Sequence, residues 1–353
     1  MSKAIPIVCL CLLFALGGCL GSTSTPAGAR SALTAEDKDQ QDREGRAADA
    51  LDKAEQLYSN GEYLDEDAAL DYLNEAVRLN PKLAAALYQR AILLLTQDHW
   101  DQALADTEKL LSLNPDHIKG RFTRGLIRYH DGDYAGAVND FSRVLEQDDS
   151  ISEAYAYRGS CYNRTGRYED ALRDFDKALA LNPAGQKTYY GKGMALAALG
   201  RNQEAAQALT QALSLNFQSV EMLLARGSIY MRIPDYEQAA ADFRRAAEFS
   251  PTDSTLQALL ASALAGAEDY AGATKAASMA LTLAKAEGDP KAEAAYLGLI
   301  KEYKAKAAAA AKAPKKPKAA PKTAVKTTTP KPAPAPALKD KGDGHRPPPP
   351  PKP

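Results

Sequence analysis

Apolar and polar positions follow a helical beat along most of this chain, and the beat itself recurs. In residues 152–185, Tyr155, Gly159 and Tyr162 fall at i, i+4 and i+7, one stripe of a helix. Gly166 interrupts that stripe, and Tyr168, Ala171, Phe175 and Ala178 form a second one. Asn182-Pro183 closes the second helix, because the residue before a proline is pushed out of the α region. The pattern predicts a helix–turn–helix unit, repeated every 34 residues. Stepping by 34 from Ala69 meets Ala103, Ala137, Ala171, Ala205, Ala239 and Ala273. A second ladder of small residues runs Ala91, Gly125, Gly159, Gly193, Gly227, Ala261. A third runs Pro81, Pro115, Asp149, Pro183, Phe217, Pro251, and a fourth Trp100, Tyr134, Tyr168, Asn202, Tyr236, Tyr270. One unit cannot bury its apolar face alone, so stacked neighbours must share a continuous core.

These ladders set the expected boundaries of an all-α chain. Seven units occupy 47–287, with three extra residues in the first, placed in the inter-helix turn around Leu64-Asp65-Glu66. After the Gly288-Asp289-Pro290 break, residues 291–312 read as one further helix, which makes 288–312 a capping segment whose apolar side is Tyr296, Leu297 and Ile300. Residues 19–46 lack a sustained apolar period and read as a flexible tether. Residues 313–353 read as a disordered Lys/Ala/Pro-rich tail, biased to extended polyproline II.

Over 47–287, and most fully in Tyr155 to Pro183, the pattern resembles the tetratricopeptide repeat family. The resemblance implies a right-handed superhelix, an α-solenoid, with a concave groove lined by the first helix of each unit. One residue past the packed stripe lies a second stripe that would face this groove. It reads Tyr88-Ile92-Leu95, Phe122-Leu126-Tyr129, Ala156-Ser160-Asn163, Tyr190-Met194-Ala197 and Leu224-Ser228-Met231. The candidate partner-binding residues are Tyr88, Ile92, Phe122, Tyr129, Asn163, Arg164, Tyr190, Met194 and Met231. The stripe lacks the repeated Lys and Asn of the carboxylate-clamp subfamily, so a peptide or helix with apolar anchors is the expected ligand. The alternative is that these side chains pack between neighbouring units. It is stronger for Phe122 and Tyr129, whose helix carries Arg121 and Arg128 where others carry Leu or Tyr.

One pairing recurs inside the single sequence. Arg90, Arg124, Arg158 and Arg226 stand in units that also carry Asp106, Asp140, Asp174 and Asp242. The unit with Lys192 has Ala208 and the unit with Leu260 has Ala276, so both partners are lost together. These pairs read as structural bridges that fix helix register.

The N-terminus has the layout of an export signal: Lys3, an apolar run, then small residues. Leu16-Gly17-Gly18-Cys19 resembles the bacterial lipobox, which implies a signal peptide over 1–18 and Cys19 as a lipidated N-terminus. Leu20 after the cysteine, by the same resemblance, favours the outer membrane, with the chain facing the periplasm. An uncleaved inner-membrane signal anchor is the alternative.

Charge refines the picture. The net charge of −1 is the sum of +8 in the last 41 residues and −9 in everything before them. A wholesale nucleic-acid binder is disfavoured, and the basic arm suits an anionic envelope polymer such as peptidoglycan. A search for catalysis finds no support. His99, His117 and His130 have no His or Cys at metal spacing, Cys161 lacks an activating partner, and no phosphate-binding glycine loop is present. No catalytic residue, metal or cofactor is assigned. The expected function is a non-enzymatic scaffold that binds envelope proteins or peptides. Lipoproteins of this architecture assist pilus or secretion-pore assembly or recruit cell-wall hydrolases. The alternative is a structural tie in which the tail binds peptidoglycan.

Overall fold

The computed structural model describes residues 34–59 and 62–312. The signal segment, Cys19, the first part of the tether and the tail lie outside these residues. Within them the chain is helical, and consecutive helices pack pairwise in chain order. The units are α1 (Ala35–Gln56) with α2 (Glu66–Leu79), α3 (Ala84–Thr96) with α4 (Trp100–Leu113), and α5 (Ile118–His130) with α6 (Tyr134–Gln147). They continue as α7 (Ser152–Arg164) with α8 (Tyr168–Leu181), and α9 (Gln186–Ala198) with α10 (Asn202–Leu215). The last two are α11 (Val220–Arg232) with α12 (Tyr236–Phe249), and α13 (Ser254–Gly266) with α14 (Tyr270–Glu287), before α15 (Pro290–Lys312). One compact unit ends at Lys306, within α15.

The core follows the ladders. The alanine ladder is fully buried at every step from Ala69 to Ala273. The small residues of the first helices face one large position of the second helices. A Cβ added at Gly125, Gly159 or Gly227 would lie 2.7–3.0 Å from the ring of Phe141, Phe175 or Phe243. At Gly193 it would meet Leu209 at 2.9 Å. Where the first helix has Ala91 or Ala261, the corresponding buried positions are the smaller Thr107 and Ala277. A smaller residue on one helix is thus matched by a larger one on the other, and the reverse.

The inter-helix turns need one residue in the left-handed region. Gly132, Gly166 and Gly200 fill it at φ of 82°, 76° and 74°. Asp98, Pro234 and Glu268 occupy the same place at 60°, 23° and 62°, where a side chain is strained. The next residue caps the second helix. Asp65, Asp133, Asp235 and Asp269 each accept a backbone N–H there, while His99, Arg167 and Arg201 provide no side-chain cap.

Arginine ties cross each of four units. Arg90 grips Asp106 with Nε and Nη2 at 2.7 and 2.5 Å, and Arg124 grips Asp140 at 2.9 and 2.6 Å. Arg158 holds Asp174 at 2.7 and 2.8 Å, and Arg226 holds Asp242 at 2.9 and 2.7 Å. Each aspartate is buried, so the two parallel bonds replace its lost water. Three of the arginines also reach back to the preceding second helix. Arg90 donates to Asn74 at 3.0 Å, Arg158 to Ser142 at 3.1 Å, and Arg226 to Thr210 at 2.9 Å. Lys192 keeps only this backward bond, to Asp176 at 2.6 Å.

Three expectations are corrected. The tether does not run to residue 46, because α1 begins at Ala35. Its first half buries nothing and is held by local chemistry: a Thr34–Asp37 capping box, an Asp39–Arg43 pair at 2.6 Å and a Gln40–Glu44 bond at 2.9 Å. The extra length of the first unit is not a longer turn at 64–66. Residues beyond Gln56 form a small antiparallel hairpin, β1 (Tyr58–Ser59) with β2 (Glu62–Tyr63), and Asp65 caps α2. In α15 the buried contact comes from Tyr303 with Leu299 and Ile300, while Leu297 is 53% exposed.

Candidate partner-binding face

The first helices touch their second helices and also one another: α5 meets α7, α7 meets α9, and α9 meets α11. Second helices make no comparable contact among themselves. The repeat array therefore bends toward its first helices, whose second stripe lies on the inner side.

Along that stripe burial is uneven. Phe122 is a correction to the candidate set: it is 8% exposed and lies in the core, edge-on to Phe141 at 5.5 Å and Tyr157 at 6.0 Å. Helix α5 keeps the register of the other first helices, with Arg124 on Asp140 and Gly125 against Phe141. Arg128 Nη1 lies 2.8 Å from Asp140 and Arg121 Nη1 lies 3.9 Å away, so both arginines turn toward that buried carboxylate. Phe122 takes the apolar slot. Tyr129 is half-buried between Tyr134 at 5.7 Å and Tyr157 at 5.9 Å, and burial holds its hydroxyl above the usual range.

The other candidates stay on the inner side. Tyr88 is half-buried with its ring 5.7 Å from that of His117, and Ile92 is half-buried one turn on. Asn163 donates Nδ2 to the Gly191 carbonyl at 2.8 Å, tying α7 to α9. Arg164 is exposed at the end of α7, where its Nε donates to the Tyr134 hydroxyl at 3.1 Å. Tyr190 is half-buried, and burial first, then a hydrogen bond to Glu221, pushes its hydroxyl up to about 12. Met231 is half-buried against the last core cluster. Met194 stands out with 41% exposure. Among the candidates Met194 is the exposed apolar side chain, Tyr88, Ile92, Tyr190 and Met231 are half-buried, and Asn163 and Arg164 are polar.

The chemistry of the buried reactive groups is inert. Cys161 is fully buried, and burial pushes its thiol up to about 12, the opposite of an activated nucleophile. His117 uses Nδ1 to accept the Gly120 N–H at 2.9 Å as the cap of α5. Among the described residues no group of three or more His, Cys, Asp or Glu is arranged to hold a metal ion. No described helix is long and apolar enough to cross a membrane.

Family profiles of the tetratricopeptide repeat match residues 93–157, 152–184 and 190–254. No curated protein matches the chain in sequence. Among solved structures, the chain is similar to PilF of Pseudomonas aeruginosa at 16% identity, over 61% of this chain and 96% of that one, with a TM-score of 0.51. A tetratricopeptide repeat protein from Parabacteroides merdae shares 20% identity over 76% of this chain and 99% of its own, with a TM-score of 0.49. YrrB, described as a repeat protein with an unusual peptide-binding site, shares 21% identity over 52% of this chain and 94% of its own, at 0.45. The ladder of alanines, the paired helices and the matched profiles lead to one assignment: this chain is a tetratricopeptide repeat protein.

Proposed function

We propose that the protein is a non-enzymatic scaffold that holds protein partners against the inner face of its repeat array. The observation that carries this reading is the exposed Met194 between half-buried Tyr190 and Met231, adaptable apolar surface on a rigid support. An amphipathic helix or an extended segment with spaced apolar anchors fits such a face. The Leu16-Gly17-Gly18-Cys19 sequence supports lipid anchoring at Cys19, in the outer membrane and facing the periplasm. Partners would then be envelope proteins, of the kind that build pili or secretion pores or that remodel the cell wall.

The test is cross-linking and pull-down from envelope extract with the full chain and its Met194→Glu and Met231→Ala variants. Recovery of a partner should fall sharply in both, with helical melting unchanged in Met194→Glu and lowered in Met231→Ala, whose side chain packs on the core. Equal recovery from all three would remove the inner face from the account. Fatty-acid labelling lost in Cys19→Ser checks the anchor separately. A second reading rests on the +8 charge of the last 41 residues: the tail ties the protein to an anionic polymer. Salt-sensitive co-sedimentation with peptidoglycan, lost on deleting residues 313–353, is its expected result, and tail-independent sedimentation would refute it.

A further inference from the structure

The edge of the array made by the inter-helix turns changes sign along its length. It starts acidic, with Asp98 between α3 and α4 and Asp131 and Asp133 between α5 and α6. It ends acidic, with Asp235 before α12 and Glu268 and Asp269 before α14. Between these blocks the turns and helix ends carry Arg164 and Arg167, then Arg201, then Arg232, all exposed, with Glu169, Asp170 and Glu204 in the first helical turns that follow. Arg232 leans back over the neighbouring unit, donating to the Ala197 carbonyl at 3.4 Å, close to the turn that carries Arg201.

Two of these arginines sit where the helix prefers the opposite charge. Arg167 and Arg201 are the N-terminal cap residues of α8 and α10, and neither provides a side-chain cap. Four equivalent positions hold a capping Asp. Free backbone N–H groups and the helix dipole both favour an acid there, so the two adjacent units forgo local stability. Such breaches of local consistency mark functional positions when they cluster. Their ion-pair partners are first-turn carboxylates, Asp170 at 2.5 Å and Glu204 at 2.6 Å; Arg167 also lies over the Tyr162 ring at 4.3 Å, and Asp176 adds to the field at Arg201. Asp170 also pairs with Arg173, and Glu169 lies near Arg201. These are i,i+3 pairs with exposed guanidiniums, easily exchanged for another carboxylate. Arg164 and Arg232 have no carboxylate partner within ion-pair distance among the described residues; a tyrosine hydroxyl and a carbonyl hold them.

We propose that Arg164, Arg167, Arg201 and Arg232 form a docking strip for a short acidic segment of a polypeptide partner. Guanidinium forks match carboxylates in paired, planar geometry, which lysines would not. The acidic blocks on both sides confine the strip to the central turns. A short acidic peptide fits that span, whereas a flat anionic bilayer would also meet Asp131, Asp133, Glu268 and Asp269. Arg164 is shared with the margin of the inner face, but Arg167, Arg201 and Arg232 lie on the turn edge, apart from Met194, so a test on Arg167 and Arg201 is independent of the inner-face reading.

The experiment uses the full chain, a fluorescein-labelled deca-glutamate probe and the Arg167→Asp/Arg201→Asp variant. That variant installs the cap used by the other units, so it is expected to melt at the same temperature or higher. Anisotropy should show salt-sensitive binding that is roughly tenfold weaker in the variant. Amide exchange should slow at residues 164–168 and 198–202 when the probe is added to the unaltered chain. Equal affinity in the two proteins, or protection that leaves both turns unchanged, would overturn the proposal. Arginine-dependent retention on phosphatidylglycerol vesicles without peptide binding would overturn it in favour of a membrane surface.

Discussion

A carboxylate removed from water needs its cation, and the repeated Arg–Asp ties supply it at the residue scale. Asp174 faces Arg158 through two short bonds, so Asp174→Ala leaves an uncompensated guanidinium half-buried between helices. The expected cost is about 3–5 kcal/mol, read as a shift of the urea midpoint. Replacing both partners, Arg158→Met with Asp174→Leu, should recover most of that loss. His117 supplies a pH dependence. Its Nδ1 must stay unprotonated to accept the Gly120 N–H, and burial, then Lys119, lowers its pKa from the ordinary 6.5. Below that value the unfolded chain binds the proton more readily than the folded one. Stability from this group is therefore present above pH 6.5 and lost as pH falls through and below it. His117→Asn keeps an acceptor at the cap and should flatten the slope of melting temperature against pH over that window. The four pairs were legible because a spacing of 16 recurs with joint loss. The turn of Arg121 and Arg128 onto Asp140 was only half legible. The sequence marks the two arginines as out of place, but the carboxylate that receives them lies on the neighbouring helix.

At the scale of elements, helix packing rests on matched sizes. Gly159→Ala drives a methyl into the Phe175 ring, 3.0 Å from the added Cβ, and should cost about 1–3 kcal/mol. The Gly193–Leu209 pair is just as tight, at 2.9 Å, so Gly193→Ala should cost a similar amount. The turns offer the reverse test. Glu268 holds a left-handed backbone that three other units give to glycine, so Glu268→Gly should stabilise by about 0.5–1 kcal/mol in thermal melts. Helix pairs and their ends were readable from the ladders, since the 34-residue beat and the proline stops are strong signals. The start of α1 was missed because residues 35–46 carry no apolar stripe. The available cue was Thr34 followed by Asp37, with opposite charges four apart. The hairpin at Tyr58–Tyr63 had no comparable cue, since its strands are two residues each.

At the scale of the whole array, stability is the sum of unit terms and contacts between neighbours, so a weak unit is felt locally. The inner face belongs to this scale, and so does the limit of the sequence. A stripe on a helix wheel names Tyr88, Phe122, Tyr190 and Met194 alike. Only the stacking of first helix on first helix decides that Phe122 is core and Met194 is surface.

The missing tie in the fifth unit has a mechanical consequence. From the second unit to the sixth, α9 and α10 are the only pair without an arginine fork, held by Ala195, Ala205, Leu209 and their neighbours. Lys192 binds α9 backward to α8, and Arg226 binds α10 forward to α11. Directional bonds thus stitch both flanks while the junction between them resists separation but not sliding. Stretching or flexing of the array should concentrate there, in the same stretch that carries Arg201. Spin labels placed on α8 and α11 should report a broader distance distribution than labels on α6 and α8. Lys192→Arg with Ala208→Asp, which writes the missing fork back in, should narrow it.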